Sequence, residues 1–150
     1  MPTAEISGLR EQVKQLQALA TRTSDLSGVA PKLYAIAQKD FTLRFQSSPS
    51  VTSSAAVYGG ATWNRLSDAY LKRNPNRKGG KQLIDTGELR RSFLRGKPGN
   101  IARVVGKTVE FGSSLPKAEW MNKKRPLVVE HEQLAKEAGA AIETYITTGK

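Results

Sequence analysis

The apolar residues of this chain change period twice along its length, and that restricts the fold more than any other feature. Ile6, Leu9, Val13, Leu16 and Ala20 recur at helical spacing near the start. Leu33, Ile36, Ala37, Phe41 and Phe45 form a second stripe, to about Gln46. Stripes of this kind mark amphipathic helices. Gly28 and Pro31 punctuate the junction, and proline is tolerated in a first turn because its missing N–H would be unpaired there. The period then shortens. Ile101 to Val105 and Thr108 to Phe111 are apolar and β-branched, and Gly106-Lys107 joins them, which predicts a hairpin. From about Val128 the helical period returns, with Leu134, Ala138, Ala141, Ile142 and Tyr145 on one stripe. These segments predict an α+β fold, with N-terminal helices and a C-terminal helix packed on a small antiparallel sheet.

Shorter segments fill the middle. Ser47 to Gly60 is rich in Ser and Gly and reads as a loop. Trp63, Leu66, Tyr70 and Leu71 predict a short helix. Asn74 to Lys81 is basic and turn-forming, and reads as a mobile loop. Leu89 to Leu94 suits a short helix or a strand. Gly96 to Asn100 is a turn, and Gly112 to Pro126 reads as an irregular loop carrying Trp120. With 150 residues, one domain with a modest core is expected. It divides into a helical region at 1–46, a loop at 47–60 and an α+β region at 61–150.

The mean hydropathy is −0.47, as in soluble proteins, and no apolar run approaches the roughly 20 residues needed to cross a bilayer. No membrane partner is therefore expected. Met1-Pro2-Thr3-Ala4-Glu5-Ile6 lacks the basic-then-apolar layout of a signal peptide. The absence of cysteine removes disulfides and thiolate sites. Charge is the unusual quantity. Of the net +11, an excess of +9 lies between Arg65 and Lys107, where twelve Lys/Arg face only Asp68, Asp85 and Glu88. A concentrated positive block implies an anionic partner, either nucleic acid or an acidic protein face, or else a loop kept solvated by charge.

Leu83-Ile84-Asp85-Thr86-Gly87 has the look of an aspartic-protease motif, but the spacing excludes it. Such enzymes pair two Asp-Thr-Gly loops so that two carboxylates share one proton. They also need a flap and a later aliphatic-Gly element, and Val104-Val105-Gly106 comes only about twenty residues after Asp85. Glu88 would add charge where the site must hold one proton. A helix start needs no special geometry: Asp85 would be the N-cap and Glu88 would reach back to it. Gly106-Lys107-Thr108 resembles the end of a phosphate-binding loop, yet position 101 is Ile where a glycine is required, and a strand follows. His131 is the only histidine. Glu130 and Glu132 flank it, but neighbours at i±1 on a helix point apart, and no serine lies in a nucleophile elbow. No catalytic, metal or cofactor-binding constellation emerges, and no cofactor is expected.

Nucleic-acid binding by the Arg65–Lys107 segment remains a second reading. Tyr70 and Phe93 are the aromatics interleaved with the basic residues, and both occupy apolar positions that suit core packing. There is no zinc finger, basic zipper or RNA-recognition aromatic motif. Pattern alone is compatible with a helix-turn-helix, but the charge of residues 6–45 is mixed rather than strongly basic.

The order of several elements carries a resemblance. Arg44-Phe45 is followed by Trp63-Asn64-Arg65-Leu66-Ser67-Asp68-Ala69-Tyr70 and a Lys-rich loop. Leu83 through Phe93 and then Val104-Val105-Gly106 come next, with Arg125-Pro126-Leu127-Val128 before the last helix. This resembles the phage virion morphogenesis family, the tail-completion proteins of Mu-like and related tailed phages. The match covers roughly residues 40 to 147, and Trp63 to Phe93 is its specific part. The chain departs from the family pattern after Val105-Gly106, where only Phe111-Gly112 stands, and at Leu127, where an aromatic is usual.

The resemblance implies a structural protein without catalysis, assembled in the host cytoplasm and resident in the virion. It would act at the head-proximal end of the tail, as tail terminator or neck, in a ring that is commonly sixfold. Implied partners are copies of itself, tail tube or sheath proteins, neck or connector proteins, and DNA in the channel. A ring needs heterologous surfaces, and free sheet edges with an amphipathic helix offer both sheet extension and helix packing. Lys72, Arg73, Arg77, Lys78 and Lys81 are the expected partner-facing or DNA-facing residues. Trp63, Leu66, Thr86, Gly87, Leu89 and Phe93 are the expected signature core, with Trp63, Leu66, Leu89 and Phe93 buried together.

Overall fold

In the computed structural model the described residues are 2–150, with side chains described from Glu11 onward. Helix α1 spans Pro2–Ser24 and α2 spans Ala30–Gln46. A small ribbon follows, β1 (Ala55–Ala56) and β2 (Thr62–Trp63). Next come α3 (Asp68–Arg73), a 3₁₀ turn (Pro75–Arg77) and the single turn α4 (Glu88–Arg91). The hairpin β3 (Asn100–Val105) and β4 (Thr108–Ser113) leads to α5 (Pro116–Lys124) and α6 (Glu132–Thr148). The class is α+β, with two separate two-stranded antiparallel ribbons.

The core is one cluster under α2. Phe41, Phe45, Val57, Trp63, Leu83, Leu89, Phe93, Ala118 and Leu127 are its buried members. Helix α2 contributes one face, with Tyr34, Phe41 and Phe45 buried at helical spacing. Phe41 stacks on Phe93 at 4.2 Å between centroids, and Phe45 meets Trp63 edge-on at 6.2 Å. Each such pair adds about 0.5–1.5 kcal/mol beyond area burial.

The β3–β4 hairpin forms in the expected register, with Val105 opposite Thr108. Its two-residue turn opens on Gly106 at φ 60°, a conformation that glycine adopts without a Cβ penalty. Helix α6 lays the half-buried Leu134, Ala138, Ala141, Ile142 and Tyr145 against α2 and the end of α1. Arg22 donates to the Ile146 carbonyl at 3.0 Å, and the Tyr145 hydroxyl donates to the Asp25 carbonyl at 3.0 Å. Further up α1, Val13 and Leu16 are 43% and 66% exposed. Ile6 and Leu9 lie outside the residues whose side chains are described.

Four sequence expectations are corrected. Trp63 is in strand β2, and the helix begins five residues later because Ser67 caps it, accepting from the Tyr70 N–H at 3.2 Å. Residues 116–124 are a helix rather than loop. Pro116 opens it, and it has too few apolar positions to show a stripe. The closing helix starts at Glu132, not near Val128. Asp85 is not an N-cap: α4 starts at Glu88, and Gly87 at φ 80° occupies the cap position with no side-chain cap bond. Only glycine holds that left-handed angle cheaply. Asp85 is therefore two residues too early, and Glu88 instead pairs with Lys117.

Candidate functional site

Among the residues whose side chains are described, three arginines and one glutamine are buried, and they brace the backbone around the candidate site. Arg44 is 1% exposed. It donates to the Tyr58 carbonyl at 3.0 Å, the Leu127 carbonyl at 2.6 Å and the Asp40 carboxylate at 2.8 Å. The other oxygen of Asp40 accepts from His131 Nε2 at 2.5 Å. A buried cation is tolerable only when paired and fully hydrogen-bonded, and this one is. Arg125 spans the Asn64 carbonyl at 2.7 Å and the Gln82 side chain at 2.7 Å. Gln82 in turn donates to the Ser53 carbonyl at 2.7 Å. Burial lowers the Arg125 pKa, because desolvation disfavours the charged form. Trp63 donates its indole N–H to the Pro126 carbonyl at 2.8 Å. The Arg125-Pro126-Leu127 element thus ties α5 to β2 and, through Leu127, to α2.

That scaffold leaves a solvent-open groove of about 570 Å³ between α3, the turn before α4, and α5. Leu66, Leu83, Leu89 and Met121 line its base. Tyr70 and Trp120 form its walls and are 37% and 54% exposed. Leu83 has φ 58°, a left-handed angle that costs a non-glycine residue on the order of 1–3 kcal/mol. It is held there by its own burial and by the tight turn between Lys81 and Ile84. Cations stand around the rim. Arg65 is paired with Asp68 at 3.0 Å, Lys117 with Glu88, and Lys124 Nζ lies 4.1 Å above the Trp120 ring. Asp85 and Glu88 also line the groove, so among the described residues Lys124 is the one exposed groove cation without a carboxylate partner. The groove thus offers oriented aromatic surface with a modest positive excess, which suits an apolar segment bearing a carboxylate.

The signature residues divide between these two regions. Trp63, Leu89 and Phe93 are in the core as expected. Leu66 is only half buried and Thr86 is exposed, so neither is core; with Gly87 they border the groove. Tyr70, expected in the core, is a groove wall.

The five expected partner-facing cations do not form one patch. Lys72 and Arg73 are exposed on α3, and Lys78 is exposed after the 3₁₀ turn. Lys81 borders a different hollow, of about 470 Å³, beside Phe41, Phe45 and Arg90. Arg77 is 7% exposed and is no contact residue. It donates to the Ile84 and Lys81 carbonyls at 3.2 and 3.3 Å, with Asp85 at 3.8 Å. It fastens the basic loop to the turn before α4, because a guanidinium can satisfy several carbonyls at once where an ammonium cannot.

Sequence reasoning missed Trp120, Lys117 and Lys124, since the helix carrying them was read as loop. It also missed the bracing by Arg125 and Gln82. The signal for Arg125 was its place in the Arg-Pro-Leu element. Among the described residues, no group of three or more His, Asp or Glu side chains is placed to hold a metal ion. Among the described residues no helix is long and apolar enough to cross a membrane. Comparison with protein-family models, with curated proteins and with solved structures finds no match.

Proposed function

We propose that this chain is a structural virion protein of a tailed phage, acting at the head-proximal end of the tail as terminator or neck, in a homo-oligomeric ring. The observation that carries the reading is the fate of the polar residues in the Trp63–Phe93 signature region and its flanks. Arg44, Arg77, Gln82 and Arg125 are spent on backbone carbonyls and on each other. Buried polar groups used this way fix geometry and are not left free for proton transfer or nucleophilic attack. What the chain turns to solvent is apolar contact surface: Trp120 and Tyr70 in the groove, Val13 and Leu16 on α1. Exposed apolar surface rimmed by charge marks an interaction site, which supports an assembly role. The order of Arg44-Phe45, Trp63 to Phe93, and Arg125-Pro126-Leu127 supplies the phage resemblance, and the same residues supply the scaffold. The partners on this reading are further copies of the chain, the tail tube or sheath, and the connector.

Electron microscopy of tails assembled with and without the chain tests it. A ring of added density at one tail end, and heads that fail to join tails in its absence, are expected. Normal joining without the chain would remove the reading.

A further inference from the structure

The assembly reading leaves open how one copy meets the next, and two surfaces on opposite flanks of α5 fit one another. One is the groove, to which α5 contributes Lys117, Trp120, Met121 and Lys124. The other begins where α5 shows Ala118, Glu119 and Asn122, beside Val128. From there the chain bends at Leu127 and Val128 and runs as an irregular strap to the start of α6. Its residues alternate strictly. Leu127 is buried in the core and His131 is bound to Asp40, while Val129 is half-buried against Gly59. Val128, Glu130 and Glu132 point out, with Val128 63% exposed. Asn122 Oδ1 accepts from the Leu127 and Val128 N–H groups at 2.7 and 3.0 Å, so the strap is held in shape before it meets anything. The charge is opposite to that of the groove. The strap carries Glu130 and Glu132, the latter paired with Lys136 at 2.8 Å, whereas Lys/Arg outnumber Asp85 and Glu88 in the groove lining.

We propose that the groove is the acceptor of a head-to-tail contact between copies of this chain, and that the donor is the Val128–Glu132 strap of the next copy. Val128 would sit between Trp120 and Tyr70, and Glu130 would face Lys124; Glu132, Lys117 and Arg65 are already paired with Lys136, Glu88 and Asp68 within each copy. The inference rests on the assembly reading only for the claim that the contacts close into a ring. Donor and acceptor are different surfaces, so the contact is heterologous and propagates from copy to copy. Exposed ion pairs are worth little individually, so the aromatic clamp on Val128 carries affinity and the charges set orientation. A strap already ordered loses little freedom on docking.

The experiment uses two full-length variants, one with Trp120→Asp and Lys124→Glu, the other with Val128→Asp and Glu130→Lys. All four positions are exposed, so unchanged circular dichroism and melting temperature confirm that each variant folds. The wild-type chain is expected to self-associate and each variant alone to run as a 16.4 kDa monomer. Mixed, the two retain one intact groove and one intact strap between them, and a one-to-one heterodimer is expected with no larger species. Trp120→Ala alone should weaken self-association about thirtyfold or more, as loss of a central anchor does. Variants that assemble like the wild type, a mixture that stays monomeric, or a wild-type chain that never associates would each overturn the contact. The two claims separate cleanly. A wild-type ring that survives both variants keeps the ring and removes this contact. A variant pair that behaves as described, with a wild-type chain that grows open filaments, keeps the contact and removes the ring.

Discussion

The basic residues of this chain serve two purposes, and the contrast between Arg44, Arg77 and Arg125 and the exposed set Lys72, Arg73, Lys78 and Lys81 shows how. The buried arginines each bind several acceptors, mostly carbonyls, and the exposed residues form no ion pair among the described residues. Guanidinium groups are planar, weakly hydrated forks that bridge backbone segments, whereas an ammonium is a strongly hydrated point charge. A net charge of +11 is therefore not a measure of available binding surface. Part of it is internal bracing.

Substitutions should reveal the difference. Arg44→Ala leaves the buried Asp40 with His131 as its one remaining side-chain partner and the Tyr58 and Leu127 carbonyls without Arg44, and should cost about 3–5 kcal/mol, read as a lower urea midpoint at unchanged slope. Trp63→Ala should cost a similar 3–5 kcal/mol from the core. Trp63→Phe should cost less, about 1–3 kcal/mol, by orphaning the Pro126 carbonyl and leaving the space of the larger ring. Arg125→Lys keeps the charge but not the fork, and should cost about 1–3 kcal/mol. Near-neutral effects at Arg44 and Arg125 would erase the distinction drawn between the two sets. Neutralising Lys72, Arg73, Lys78 and Lys81 together, leaving Arg77 intact, should change stability by no more than about 0.5 kcal/mol per site.

That quadruple variant also addresses nucleic-acid binding. Retention on DNA that falls by about one log–log slope unit per phosphate contact, and that disappears in the variant, would favour the basic-module reading over assembly. The expected result is weak retention in both proteins, lost at moderate salt.

The smallest effect concerns acid. Hydrogen bonds from Gln133 and Lys39 hold the Glu137 carboxyl below its usual pKa. A depressed carboxyl contributes stability above its unfolded pKa and loses it as pH falls through the folded one. Glu137→Gln should therefore slightly flatten the loss of melting temperature on acidification through the carboxylate range, with little change at neutral pH. An unchanged acid profile would show that the α2–α6 bridge between Lys39 and Glu137 is not formed.

Periodic features were the legible part of the fold. Helix α2, the β3–β4 hairpin with its Gly106-Lys107 turn, and the stripe of α6 all follow from apolar spacing. Helix α5 was hidden because its exposed face carries Lys117, Trp120 and Lys124, leaving Ala118 and Met121 as thin evidence of a buried side. The cap at Asp85 was plausible locally, but the left-handed Gly87 and the pairing of Glu88 with Lys117 are set by packing that no window of sequence contains. The buried arginines were invisible for the same reason. Their acceptors are carbonyls, which every residue has, and Arg125 and Asn64 are 61 residues apart. At the groove, Leu66 and Thr86 were expected in the core and are not, whereas Gly87 is buried as expected; the facing wall comes from a helix without a readable apolar stripe.

The account stands on the claim that the chain's exposed apolar surfaces are for assembly. The native mass of the full-length protein, measured across a wide concentration range, tests that most directly. A discrete species at six times the 16.4 kDa protomer mass, holding its size on dilution, is the predicted result. A 16.4 kDa monomer at every concentration would contradict it.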